Sequence, residues 1–238
     1  MHNSALSSVV ILLGIFNVSH AATQVFNSVA ETTLNQSSPD NNMGGHNTLL
    51  AGVTNGGAFR RGLIRFDVSS LPSNSTITSV SLQLTVPDGN VANTPNFALH
   101  RMITAWVEGN KSGNRGAAAT AGEATWNTSG IGDWESPGAG IGVDYITSQS
   151  AGINVNGLGS YNWASAGLTA DVQAWVSGSS ANNGWIMIET TGVNQTARRF
   201  SATSDPALTI VYSAVPETSS TAMFALGGIT LLVRKRKS

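Results

Sequence analysis

Apolar residues occupy every second position along Val80-Ser81-Leu82-Gln83-Leu84-Thr85-Val86, which predicts a strand with one buried and one wet face. Pro87-Asp88-Gly89-Asn90 follows with the residues of a turn. Ile64, Phe66 and Val68 alternate in the same way and stop at Leu71-Pro72. Leu208, Ile210 and Tyr212 predict a last strand, with residues 185–189 and 197–203 as its expected neighbours. One stretch has a different period: Leu168, Val172, Trp175 and Val176 recur at i, i+4, i+7 and i+8, the stripe of a short helix. Thr169 is placed to cap its start and Gly178 to end it. Short strands with glycine-rich connections predict an all-β domain, a jelly-roll β-sandwich with one short helix, although periodicity alone leaves a barrel open. Residues 108–167 show little alternation and read as a long loop that is either functional or mobile.

The two ends carry apolar runs of another kind. Residues 9–16 are apolar but too short to cross a bilayer, and Ser19-His20-Ala21 places small residues at −3 and −1 of a signal-peptidase cut. Residues 1–21 are therefore read as a signal peptide, although no Lys or Arg precedes the apolar run. At the other end Val215-Pro216-Glu217-Thr218 precedes an apolar stretch at 221–233, which runs into Arg234-Lys235-Arg236-Lys237. As a helix the stretch would span roughly 20 Å, short of the roughly 30 Å hydrocarbon core, and the cations would hold the tail on the cytoplasmic side. This order resembles the PEP-CTERM sorting signal of Gram-negative bacteria. The resemblance implies an exosortase-type enzyme acting at Val215, Pro216 and Glu217, with a short transmembrane helix and Arg234, Lys235 and Arg236 as its stop. It further implies transient inner-membrane insertion and a final place at the cell surface or outside the cell. A plain C-terminal anchor is the alternative.

Composition, counted over the whole chain, narrows what the middle, residues 22–213, can be. Charged residues make up only 11% and glycines number 26, which suits short strands and turns. There are no cysteines, and a mature chain of roughly 195 residues can bury a core without disulfides. Without the four tail cations, eight Lys+Arg face thirteen Asp+Glu, a net charge of about −5 that argues against a nucleic-acid partner.

Three blocks in order resemble the DNRLRE domain, which overlaps a family of carbohydrate-binding modules. The first holds Gly44-Gly45, residues 49–52 and Arg61-Gly62-Leu63-Ile64-Arg65-Phe66-Asp67-Val68-Ser69-Ser70-Leu71-Pro72. The second runs from Arg101 through Trp106-Val107-Glu108-Gly109 to Ala124-Thr125-Trp126 and Trp134-Glu135-Ser136-Pro137-Gly138. The third holds Asp171-Val172-Gln173-Ala174-Trp175, Asn183-Gly184, Phe200-Ser201-Ala202 and Pro206-Ala207-Leu208. The resemblance implies a jelly roll with a non-catalytic extracellular role. In some relatives that role is polysaccharide binding, alginate included.

Candidate chemistry is sparse. His46 and His100 lack a clustered partner, and there is neither Cys nor a Gly-x-Ser-x-Gly elbow, so nucleophilic catalysis and zinc find little support. Asp133, Glu135 and Asp144 could serve glycoside hydrolysis only at the right separation. Asp40 and Asn42, with Gly44-Gly45 and with Glu31 beside them, offer the hard oxygens a structural Ca²⁺ takes, or form an ordinary polar turn. Sugar stacking needs exposed rings. Trp106, Trp126 and Trp175 read as core; Tyr161 and Trp163, with Trp134, are the better surface candidates, or are loop aromatics folded back as a lid over the core. Arg60, Arg61, Arg65, Arg198 and Arg199 can form a cationic stripe for an acidic polysaccharide, or pair with Asp67, Glu189 or Asp205. The expected function is a non-catalytic surface or matrix protein associated with exopolysaccharide or biofilm. The alternative is a module for an acidic polysaccharide that uses Arg61, Arg65, Tyr161, Trp163 and Arg198.

Overall fold

The computed structural model describes residues 20–89, 93–202 and 206–214, of which residues 21–214 form one unit. The readings of a signal peptide before His20 and of a sorting signal after Ala214 lie outside the described residues. In chain order the strands are β1 (Ala21–Asn35), β2 (Asn41–Asn42), β3 (Thr48–Val53), β4 (Phe59–Phe66), β5 (Thr76–Val86), β6 (Asn96–Arg101), β7 (Ala117–Ala118), β8 (Ala151–Asn154) and β9 (Gly159–Ala164). They are followed by helix α1 (Ala166–Val176), β10 (Trp185–Glu189), β11 (Arg198–Ser201) and β12 (Ala207–Ser213).

The fold is all-β with one short helix, a sandwich of two antiparallel sheets joined by a strand common to both. Residues 21–27 of β1 pair with β12, in a sheet ordered β1, β12, β5, β9. The register breaks between Ser28 and Ala30, and the rest of β1 pairs with β4, in a sheet that continues through β10 and β6 to β8. A bulge bends a strand, and here the bend carries β1 from one layer into the other. The last strand thus has β1 and β5 as neighbours. The residues expected beside it go elsewhere: β10 pairs with β4 and β6, and β11 with β3. Both were recognised as strands, but alternation specifies a face and not a neighbour.

Val80, Leu82, Leu84, Leu208 and Ile210 point into the gap and meet Ile64, Phe66, Phe97, Leu99, Trp185 and Met187 from the other sheet. Helix α1 plugs one end with Leu168, Val172, Trp175 and Val176. Trp175 packs on Trp185 with ring centres 4.5 Å apart. Buried Asp171 fixes the helix, accepting Trp185 Nε1–H at 2.8 Å and pairing with Arg101 at 3.1 Å. The helix starts earlier than the stripe suggested. Ser165 is the N-cap, its Oγ accepting Leu168 N–H at 3.0 Å. Thr169 lies inside the first turn, with its hydroxyl on Ser165 O. Gly178, at φ +72°, follows the C-cap Ser177.

A third layer was not foreseen. The outer face of the second sheet carries Ala30, Leu34, Leu63 and Ile186. Residues 102–145 fold over it with Met102, Trp106, Trp126, Trp134 and Tyr145, forming a second apolar core. Most of the expected loop is therefore packed cover, and its last part supplies β8 and β9. Polar side chains spent on backbone groups hold it in place. Trp106 Nε1–H donates to Asn183 O at 2.8 Å and Trp134 Nε1–H to Thr125 O at 2.9 Å. Buried Asp144 accepts Gly140 N–H at 2.6 Å, Glu135 N–H at 2.9 Å and the Thr104 hydroxyl at 2.8 Å.

Candidate functional site

The aromatic candidates for sugar stacking pack against the protein's own core to different depths. Trp163 is fully buried between the sheets, its indole N–H on Phe97 O at 3.0 Å and its ring edge-on to Phe200 at 5.9 Å. Tyr161 shares its face of β9 and is half-buried, with its hydroxyl donating to Gly157 O at 3.0 Å. Trp134 is buried in the cover. Of the two readings, surface platform or ring folded onto the core, the structure has the second for all three, because the glycine- and serine-rich segments around them are strand and cover and not free loop.

The arginine stripe is divided in the same way. Arg61 and Arg65 do lie on the outer face of β4, but the cover lies over that face. Arg61 donates to Gly138 O at 2.6 Å and Ala139 O at 2.9 Å, and its guanidinium sits 5.5 Å from the Trp126 ring. Arg65 sits 5.3 Å from the Trp106 ring. Burial lowers the Arg61 pKa, partly offset by the Tyr145 hydroxyl. Arg198 is 1% exposed, with its terminal nitrogens on Thr196 O, Ala197 O and Asn93 O. The expected partners are otherwise engaged. Asp67 accepts Ser69 N–H and Glu189 accepts Thr191 N–H and Gly192 N–H, while Asp205 lies outside the described residues.

The oxygens proposed for calcium each have separate duties. Asn42 is fully buried, and its amide donates to Glu108 O at 2.6 Å and Ala124 O at 2.8 Å. Its Oδ1 accepts Gly44 N–H and Lys111 N–H, so that residue is a latch between β2 and the cover, with no lone pair spare for a metal. Asp40 accepts the Asn127 amide at 2.8 Å. Glu31 bonds the Ser28 hydroxyl, and its N–H donates to Glu108 at 2.8 Å. Burial raises the Glu31 pKa, and the Glu108 charge raises it further. Among the described residues no cluster of three or more His, Cys, Asp or Glu could hold a metal. His46 Nδ1 accepts Thr48 N–H, and His100 lies against the Tyr145 ring with its pKa lowered by burial.

What the structure does bring together is a cleft of about 360 Å³ where the β3–β11 ladder meets the start of β4. Its lining includes Arg60, Arg115, Arg198 and Arg199, with the amides of Asn55 and Asn114, and among the described residues it includes no carboxylate. Arg60 donates to Phe59 O at 2.9 Å and the Ser37 hydroxyl at 3.1 Å. Its pKa is lowered by burial first and by the charge of Arg115 second. Burial also lowers that of Arg198, whose Nε has no hydrogen-bond partner among the described residues. Arg115 is exposed, and its carbonyl accepts the amides of Asn35 and Asn41, which fix the backbone there. Such a site suits an anion: guanidinium forks match carboxylate geometry, and buried cations without counter-charge gain most from one. A second depression, about 420 Å³, is lined by Asp40, Glu123 and Asp133 and is acidic.

Sequence reasoning found Arg60, Arg198 and Arg199 but missed Arg115 and Asn114, which sit in Gly113-Asn114-Arg115-Gly116 without any periodicity. A family model described as carbohydrate-binding module family 96 matches residues 22–212 of this chain. No curated protein matches it.

Proposed function

The chain belongs to carbohydrate-binding module family 96, and from that premise we propose that its ligand is an acidic polysaccharide held in the arginine-lined cleft. The observation that carries this reading is the lining itself, four arginines from β4, β11 and the segment before β7, with no carboxylate in it among the described residues. A polymer bearing a carboxylate on successive sugars would meet Arg115 and Arg199 at the mouth, and the amides of Asn55 and Asn114 would take its hydroxyls. The buried Arg60 and Arg198 add positive potential from the floor, where low dielectric strengthens it. Arg61, Arg65, Tyr161 and Trp163 hold the module together and do not face this ligand. A uronic-acid polymer such as alginate fits this chemistry.

Such a module is non-catalytic, and we extend that to the whole chain. The terminal segments support a wider role. A signal peptide at 1–21 and the Pro216-Glu217, apolar and basic tail would export the module, pass it transiently through the inner membrane and leave it at the cell surface after cleavage. A polysaccharide-binding module delivered there would associate with an exopolysaccharide matrix. Intact-mass measurement of the exported protein checks this part, and retention of residues 234–237 on the surface form would overturn it.

Affinity electrophoresis through gels containing alginate tests the binding. The wild-type chain should be retarded in alginate and not in a neutral glucan. Arg115→Gln and Arg199→Gln should each cut the apparent affinity by roughly tenfold or more, since a hydrogen bond to a charged group contributes about 1.5–3 kcal/mol net. Equal mobility in gels with and without alginate would sink the reading.

A further inference from the structure

Three ion pairs are formed among the described residues, and two are largely enclosed: Arg101–Asp171 and Lys111–Glu123 have side chains no more than 25% exposed. The third differs. Asp88 Oδ1 lies 3.4 Å from Arg199 Nη1, with side chains 63% and 45% exposed, at the mouth of the arginine cleft. Asp88 sits on the turn that leaves β5. The adjoining Gly89 lines the cleft at φ +128°, a conformation that favours glycine and lets the turn reach across to β11. Asn114 Oδ1 accepts the other end of the Arg199 guanidinium at 3.5 Å. Arg199 is thus held in the cleft wall by one amide and one carboxylate.

We infer that Asp88 is a built-in competitor for the cleft, occupying the guanidinium that a ligand carboxylate would otherwise take. The inference rests on the acidic-polysaccharide reading and names what sets that site's selectivity. An exposed pair of this kind is weak, so a ligand can exchange for it. Exchange has a cost all the same, because Arg199 gives up one carboxylate to gain another and the displaced Asp88 stays nearby to repel the polyanion. A neutral glycan gains nothing from the exchange, and a sparsely charged one gains little. A polymer with carboxylates on successive sugars recovers the loss through Arg115 and the buried cations. Selectivity then comes from an element that opposes weak ligands as well as from those that attract strong ones.

The test uses the full chain and sodium alginate as probe, with affinity read by titration calorimetry at low salt. Asp88→Asn and Asp88→Ser should each bind about 2- to 5-fold more tightly than wild type, the range an exposed ion pair allows. Asp133→Asn, the same charge change beside the acidic depression, should bind like wild type. In an Arg199→Gln background Asp88→Asn should bring only a fraction of that gain, the part owed to repulsion of the polyanion, because the competition for the guanidinium is gone. Wild-type binding with both Asp88 variants equal or weaker would overturn the inference and leave the acidic-glycan reading standing. So would an equal gain from Asp133→Asn, or a full gain in the Arg199→Gln background, since either would reduce the effect to net charge. If no form binds alginate, the acidic-glycan reading falls and the inference with it.

Discussion

Tryptophan 163 is set in Gly-Ser-Tyr-Asn-Trp-Ala-Ser, where small and polar neighbours suggest a surface loop. The segment is β9, paired through its length with β5, and Trp163 lies opposite Leu82. Its alternation is real but short, and the inward residues Tyr161 and Trp163 are the amphipathic aromatics that often have one polar tip exposed. Whether such a ring faces water depends on what the opposite sheet presents, here Phe97 and Phe200, and that is not local information. Trp163→Ala should therefore act on stability. Removing a fully buried indole costs about 3–5 kcal/mol, read as a lower urea midpoint, whereas the exposed Arg115→Gln should change stability by less than about 0.5 kcal/mol. If Trp163→Ala left the midpoint in place and abolished glycan binding, the ring would be a ligand contact after all.

Elements were legible in proportion to how one-sided they are. Strand β5 alternates cleanly because only one of its faces is buried. Strands β4 and β10 carry Leu63 beside Ile64 and Trp185 beside Ile186, both members of each pair fully buried, since one meets the sandwich core and the other the cover. The cover itself has no period because Asn42, Asp144 and indole N–H groups on backbone atoms hold it, and such bonds leave no repeat in a sequence. The helix shows the same limit on a smaller scale. Its apolar stripe was readable, but its start was not, because Ser165 and Thr169 are both competent caps and only geometry distinguishes them. Ser165→Ala should cost about 1 kcal/mol by the loss of the bond to Leu168 N–H, and Thr169→Ala less than half of that. Equal losses in thermal unfolding would show that the cap assignment is wrong.

At the scale of the molecule, the sequence specified an acidic, disulfide-free sandwich, whereas the proposed site depends on arginines from three separated segments meeting at one cleft. The same convergence of distant segments creates a pH dependence that no local pattern announces. Glu31 on β1 and Glu108 in the cover are 77 residues apart, yet the Glu31 N–H donates to the Glu108 carboxylate. The pKa of each is raised. For Glu31 burial is the main cause and the Glu108 charge adds to it, against the Ser28 hydroxyl. For Glu108 burial dominates, against the Glu31 N–H and the charge of Arg65. A carboxyl whose folded pKa exceeds its unfolded one holds more protons when folded, so its stabilising contribution is complete below the ordinary value of 4.5 and is lost as pH rises through the folded pKa. Glu31→Gln keeps the bond to Ser28 and the backbone donor to Glu108 but removes one of the two charges. It should raise the urea midpoint at about pH 7, and the gain should shrink toward zero near pH 4, where wild-type Glu31 is itself largely protonated. A gain of the same size at both pH values would mean that packing, and not the facing carboxylates, sets the effect.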